Sequence, residues 1–514
     1  MIIVDSSSLR LSYKSDKNLK RSAETKEQVK PKRKMEGNVQ LDRYFIKTSE
    51  KEKQSFDKQL ARYLYATNSS FRTVENPQFL KFVEMIRPGY KVPTRKQISE
   101  SILNEVYDEE ITKGRLLLKG HIVSMDLDGW SNVHNEPVVC VSVIDENSES
   151  LLVKTVDTSG QKHDVTYLTS LATNVIKEVS QEFDVRVRSL VTDNAANMRA
   201  MRKQLKDEFG CSIATYGCSS HIANLLAHDL DIPNVKSHVV QIIKYVRNTH
   251  LPAARYKEAG GKKLIMPVET RWNSVYESLE SYLQNWPILA SIMLDEHVTS
   301  KIMNMNIKSN AKDLANRLKP VSIALSNLQS DKCKISDAVK IWKNLFLELA
   351  QILPEKEVEN VKKRYDQAIT GYHLLAYLLD PHFQKDVENM PEDEECKAMS
   401  LAEEEYPEVI PIILKLKAKA YPFDKAYLFE SSVISHLTPC SWWRALKGNI
   451  DISVIEDICG LLNGVASSAS VERIFSTFGL VHSKLRNRLG IEKAGKLVFL
   501  HKVLNKDYHE DETD

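Results

Sequence analysis

The 514-residue chain lacks most of the features that mark unusual protein classes. No run of about 18 consecutive apolar residues occurs, which argues against a membrane-spanning helix. The opening stretch MIIVDSSSLRLSYKSDKNLK turns polar after a very short apolar start and lacks the apolar core of a secretory signal. Seven Cys, an odd count spread thinly along the chain, exclude a disulfide framework and point to a reducing compartment. Residues 1–60 contain neither Cys nor His, so no zinc finger can be built there. Seventeen Gly and seventeen Pro are too few for a low-complexity chain. A net charge of +2 gives no bulk sign of nucleic-acid binding, so any such surface must be a local patch. What is present is ordinary for a folded protein: 42% hydrophobic and 27% charged residues. The length allows about two to four domains.

Residues 1–38 read as a disordered basic tail, rich in Ser, Lys and Glu and poor in aromatics. Within it Lys30, Lys32, Arg33 and Lys34 form a compact basic run. Such a run is a nuclear-import signal, a phosphate-contacting arm, or simply a solvated tail. Residues 39–115 read as a small helical module. Phe56, Leu60, Leu64 and Tyr65 recur at helical spacing. Pro77 opens a second helix, with Phe79, Phe82, Val83 and Ile86 as its apolar face and Pro88-Gly89-Tyr90 as its end.

Near Gly120 the period changes from helical to alternating. Val123, Met125 and Leu127 share one face of a strand ending at Asp128, with Ile122, Ser124, Asp126 and Asp128 on the other. Strands over 138–144 and 151–156 follow, joined by a turn at Asn147-Ser148. A helical stripe, a strand over 185–192, a helix over 198–209, a short strand over 213–216 and a helix over 221–230 complete residues 116–232. This α/β order matches that of the ribonuclease H fold, among several others. Residues 233–450 read as a large all-α insertion, with an acidic, exposed stretch over 386–405. Residues 451–507 return to strongly apolar helices, and 508–514 form an acidic tail.

Asp128 and Asp193 both stand at strand ends, where side chains of neighbouring strands converge. Two carboxylates there suit hard divalent cations, and Glu472, beside the apolar face formed by Val471, Phe475 and Phe478, is a candidate third. Each has a plainer reading: Asp128 as a turn residue before Gly129, Asp193-Asn194 as a helix N-cap or a turn, Glu472 as a surface ion-pair partner. Asp126 shares the strand face of Asp128 and is its rival.

Several blocks in order carry a resemblance. Asp128-Gly129-Trp130-Ser131-Asn132 with Asn135-Glu136-Pro137, then Val156-Asp157-Thr158-Ser159-Gly160, then Val191 to Met198, resemble successive blocks of the hAT superfamily of DNA transposases, the hobo and Activator group. Gly217-Cys218-Ser219-Ser220-His221 is similar to that family's Cys-x-x-His motif, and Glu269 to Ser274 to its ETRWNS block. Leu379-Asp380-Pro381-His382-Phe383 is similar to a further block, and 467–504 to the family's C-terminal dimerisation region. The likeness runs from about Gln40 to Leu504.

The resemblance implies a ribonuclease H-like α/β core interrupted by the helical insertion, including the domain of unknown function found in such proteins. It implies an Asp-Asp-Glu triad at Asp128, Asp193 and Glu472 holding two Mg2+ or Mn2+ ions. Cleavage of DNA by water and joining of the free 3′ hydroxyl to a target strand would follow, in the nucleus. It casts Trp272 as a residue that stacks on a base near the cut; core packing is the alternative. Cys218 and His221 make half of a zinc site, so they read as a structural motif anchoring the helix near His221, with Cys211 too remote to complete a finger. Many hAT proteins carry an N-terminal BED finger, and residues 1–60 have no ligands for one. Two functions follow: a metal-dependent strand transferase acting on DNA, or a catalytically silent derivative that binds DNA or nuclear proteins. Both self-associate, through terminal helices carrying Val471, Ile474, Phe475, Leu480, Leu485, Leu489, Leu497, Phe499 and Leu500, as a homodimer or larger homo-oligomer.

Overall fold

The computed structural model describes residues 48–132, 135–268, 272–292, 295–482 and 489–506, with the backbone alone for residues 211 and 272. The basic run Lys30, Lys32, Arg33, Lys34, the tails, Glu269 to Arg271 and Leu485 lie outside the described residues. No helix among the described residues is long and apolar enough to cross a membrane.

Four helices come first: α1 (Glu50–Ala66), α2 (Pro77–Ile86), α3 (Arg95–Ser99) and α4 (Ser101–Leu118). A capping box between Ser49 and Glu52 starts α1. Asn76 caps α2 and Pro77 occupies its first position, as its fixed φ favours. The apolar face read onto α2 is left largely uncovered, with Phe82 58% and Ile86 66% exposed, because only Phe79 and Val83 lean on the rest of the module.

The sheet follows: β1 (Ile122–Ser131), β2 (Pro137–Ile144), β3 (Ser150–Asp157), α5 (Val165–Phe183), β4 (Arg186–Thr192), α6 (Ala196–Phe209), β5 (Ala214–Gly217) and α7 (Ser219–Asp229). The strands lie in the order β3-β2-β1-β4-β5, antiparallel between β1, β2 and β3 and parallel between β1, β4 and β5. The helical segment after the sheet runs α8 (Val235–Asn248), α9 (His250–Glu258), α10 (Trp272–Ser291), α11 (Glu296–Ile302), α12 (Met305–Leu328), α13 (Ile335–Ile352), α14 (Glu355–Ala368), α15 (Gly371–Leu379), α16 (Gln384–Val387), α17 (Glu392–Glu405), α18 (Ile410–Lys417), α19 (Ser431–Ile434) and α20 (Pro439–Arg444). The chain then returns to the sheet as α21 (Ile452–Leu462), α22 (Ala469–Val481) and α23 (Ile491–Leu504). The described chain is thus mostly helical around one small mixed sheet.

Two apolar cores meet at β1. Ile122 joins a core with Val191, Tyr216 and the helices from α7 to α21. Val123, Met125 and Leu127 join a second with residues of α1, α4, α5, α22 and α23. Burial on this scale is the main favourable term in folding.

Two expectations need correction. First, β1 does not stop at Asp128. It continues to Ser131, because β2 pairs with it through Gly129↔Val139, Trp130↔Val138 and Ser131↔Pro137. The turn reading of Asp128 therefore falls. Second, the acidic stretch is not simply exposed. It forms α17, whose Ala398 and Ala402 are fully buried and which packs on α15. Its buried Glu394 accepts a hydrogen bond from Tyr365 Oη at 2.6 Å and pairs with Lys343 at 2.7 Å. Its buried Glu405 accepts from Tyr372 Oη and pairs with Lys206. Buried carboxylates persist where such partners exist. The terminal helices pack much of their apolar surface on the chain's own core, with Phe475 and Leu489 left half-buried. Val471, Ile474, Leu497, Phe499 and Leu500 are buried, with α22 against β1 to β3 and α23 against α1, α4 and β3; Leu480 alone of the described set is largely exposed, at 62%.

Candidate active site

Sheet register brings the first two acids together. β1 and β4 run parallel, and their last paired residues are Asp126 and Val191. Two residues further along each chain come Asp128 and Asp193, at the same end of adjacent strands. Asp193 then turns the chain: its carboxylate accepts from Ala195 N at 2.9 Å. This is a turn rather than a helix cap, since the N-cap of α6 is Ala195 and it has no side-chain cap bond.

The third acid arrives from α22. Asp128 and Glu472 line one cleft of about 740 Å3, together with Trp130, His221, Asn273 and Glu277. Asp193 is not in that lining, but its charge is felt by Asp128. Burial pushes the Asp128 carboxyl up to about 7, and the like charges of Asp193, Glu472 and Asp126 add to the rise, against a hydrogen bond from Gly129 N. Among the described residues, no three Asp, Glu, His or Cys side chains converge tightly enough to enclose one ion.

Asp126, the rival, is removed from contention by burial. It is wholly inside, and its carboxyl oxygens take hydrogen bonds from Ser142 Oγ on β2 and from Ser470 Oγ on α22, the latter at 2.5 Å. Burial pushes it up to about 6. The two serine oxygens also touch each other.

Four residues build the site without a role foreseen from sequence; Trp130, Asn194 and Gly217 stand in the motif blocks and Arg202 lies outside them. Trp130, on the same strand face as Asp128, stacks on Phe475 with ring centroids 5.9 Å apart and tilts against Phe478 at 5.8 Å. Its period-two offset from Asp128 was the available signal. Arg202 of α6 is buried and donates to Thr192 Oγ1 at 2.5 Å and to the Asp193 carbonyl at 2.6 Å, clamping the end of β4. Asn194 donates to the Cys218 carbonyl at 2.9 Å. Gly217 lies so close to Asn194 that a Cβ there would fall 1.7 Å from Asn194 Oδ1. These contacts are made across the sheet and leave no periodic trace.

The Cys-x-x-His pair separates. Cys218 is buried just before α7, its backbone N–H donating to the Thr192 carbonyl at 2.8 Å and its thiol beside Ser220 at 3.1 Å. Burial pushes the thiol up, away from the thiolate that binds metal. His221 instead is exposed on the cleft. Cys218 thus does the anchoring, and His221 does not. Trp272 opens α10, but its side chain lies outside the described residues; the next residues, Asn273 and Ser274, line the cleft. Leu379 to Phe383 forms a corner away from it, where buried Asp380 accepts from Ser336 Oγ and His382 N, and Trp443 Nε1 donates to the Leu379 carbonyl.

Residues 93–248 match a family model described as a domain of unknown function (DUF659), and residues 423–504 match the hAT family C-terminal dimerisation region. A Zea mays protein named as an AC transposase is 24% identical over 356 residues, 61% of this chain and 43% of the relative. A second, named as an AC9 transposase, is 26% identical over 243 residues, 43% of this chain and 28% of the relative. The chain spans less than half the length of these curated relatives. The second matched region contributes Glu472 and the first contributes Asp128 and Asp193, so all three acids fall inside matched segments, and over these segments the chain is similar to hAT-family transposases.

Proposed function

We propose that this chain is a metal-dependent DNA strand transferase with Asp128, Asp193 and Glu472 as its acids, built on a ribonuclease H-like core. One observation carries the reading: parallel register sets Asp128 beside Asp193, and α22, more than 270 residues later, sets Glu472 on the wall of the cleft that Asp128 lines. The strand order and the mixed directions of β1 to β5 agree with such a core.

The donor set suits Mg2+ or Mn2+: three carboxyl groups and no thiolate. Asp128, Asp193 and Glu472 are the groups that would hold such ions, and the charges of the other two already act on Asp128. When bound, a pair of such ions activates the attacking oxygen and stabilises the leaving one in phosphoryl transfer. The chain's own residues do the rest. Arg202 holds the β4 end through the Asp193 carbonyl, and Trp130 braces β1 against α22. Trp272 is proposed to stack on an unpaired base, a contact worth roughly 1–3 kcal/mol. The run Lys30 to Lys34 is proposed to direct the chain to the nucleus or to contact phosphates, and the region 423–504 to support self-association.

A second reading, a catalytically silent derivative that still binds DNA and dimerises, is favoured by the lack of a tight three-donor cluster among the described residues. Calorimetric titration of the full chain with Mn2+ separates the two. Saturable binding that disappears in Asp193→Ala supports the strand transferase. Heat of dilution alone, with the wild type folded, rejects it.

A further inference from the structure

Two ties join β1 to α22, and the candidate acids lie between them. Along β1, Asp126, Asp128 and Trp130 share one face by the strand's period of two. On α22, Ser470 and Phe475 flank Glu472. Ser470 Oγ meets the Asp126 carboxyl at 2.5 Å, and Phe475 stacks on Trp130. The pairing 126 with 470 on one side and 130 with 475 on the other leaves Asp128 and Glu472 between the two ties, both on the lining of one cleft.

The first tie is unusual in its chemistry. Asp126, Ser142 and Ser470 are each at most 2% exposed, and their three side chains touch one another in a closed ring of oxygens. A buried carboxyl is costly unless its hydrogen bonds are satisfied, and here both oxygens are. The ring lies beside a segment pinned to β1 by backbone contacts: Asn463 Nδ2 donates to the Ile122 carbonyl at 3.1 Å and Val465 N to Ser124 Oγ at 3.4 Å. The ring is therefore the last of a series of polar ties that lay residues 463–470 along β1, and the one nearest the acids.

We propose that Asp126 is a positioning residue: through Ser142 and Ser470 it fixes the first turn of α22 on β1 and thereby sets the spacing between the Asp128 and Glu472 carboxyl groups. This rests on the two acids acting together on divalent ions. The Asp126 oxygens are occupied within the ring and do not reach the cleft lining.

The test measures Mn2+ affinity of the full chain by calorimetry, with amide hydrogen exchange over residues 469–473 as a metal-free readout. Asp126→Ala and Ser470→Ala each open the ring and should weaken Mn2+ binding about 10–100-fold, the range for outer groups that orient metal ligands. The double variant should be no worse than the worse single, since both remove one tie. Asp126→Asn should stay within about threefold of the wild type, because the carboxamide oxygen can accept from one serine and one of its two N–H groups can donate to the other, closing the same ring. If Asp126→Asn loses as much affinity as Asp126→Ala, the carboxyl is itself a ligand and the positioning role is overturned. Unchanged affinity in Ser470→Ala overturns it too, and this smaller change serves if Asp126→Ala does not fold. If the wild type binds no Mn2+, the strand-transferase reading fails separately, and exchange decides. Faster exchange over 469–473 in Ser470→Ala but not in Asp126→Asn upholds the tie, and equal exchange in all variants removes it.

Discussion

Asp128→Asn is expected to abolish metal-dependent nicking of a hairpin duplex while leaving the folded chain more stable than the wild type above neutral pH. The loss should be at least about 10³-fold, equivalent to about 4 kcal/mol of transition-state stabilisation. The stability gain has a separate cause. The folded-state Asp128 holds its proton up to about pH 7, against an ordinary value of 3.8, because of burial and of the neighbouring Asp193, Glu472 and Asp126. The folded state thus binds more protons than the unfolded one between these values, and stability falls as pH rises from about 4 to about 7. Asparagine cannot ionise and removes that fall. Melting curves at pH 8 should place the variant above the wild type, with the difference shrinking toward pH 4. A gain in stability paired with a loss of activity is the signature of a site kept for chemistry at a cost to the fold. Nicking by Asp128→Asn above the level of a chelator-treated wild type would reject the assignment, and a variant that melts lower at pH 8 would reject the electrostatic account.

Gly217→Ala is expected to be the most damaging single-methyl change in the sheet. The added Cβ would meet Asn194 Oδ1 at 1.7 Å, so Asn194 must leave. Its hydrogen bond to the Cys218 carbonyl goes with it, as does its contact with Arg202 at 3.4 Å. Overpacking and orphaned buried polar groups together should cost about 2–4 kcal/mol in chemical denaturation. Because Asn194 follows Asp193, metal affinity should fall as well. Gly448→Ala is the matched control: its Cβ meets nothing within 4 Å, and it should be near neutral. In Asn194→Ala with Gly217→Ala the clash has no target, so the double variant should be no less stable than Asn194→Ala alone. If it is less stable than that, the clash lies elsewhere.

The strands were legible because their patterning is local. Val123, Met125 and Leu127 alternate, and β1 follows. The end of β1 was not, because Gly129 and Ser131 look like a turn until β2 is seen to pair with them. Asp193 follows the end of β4 as the patterning suggests, but Asp128 lies inside β1 rather than at its end, and parity could not separate Asp128 from Asp126. That choice is made by residues 463–470, which cover Asp126 from more than 330 positions away. The acidic residues of α17 misled for a related reason: Tyr365, Tyr372, Lys206 and Lys343, distant in sequence, shelter Glu394 and Glu405. In each case the missing information was the identity of a remote partner.

The return of α21 to α23 onto the sheet also has a consequence for biosynthesis. The last strand is complete at Gly217, yet the helices that cover its neighbours begin at Ile452, roughly 235 residues later. At about 5–20 residues per second on the ribosome, β1 to β3 wait some 10–50 s with one apolar face uncovered. Nascent chains should therefore engage holding chaperones over that interval. A stop codon anywhere before Ala469 should yield an aggregating fragment rather than a soluble monomer, since what it deletes is the lid of the core.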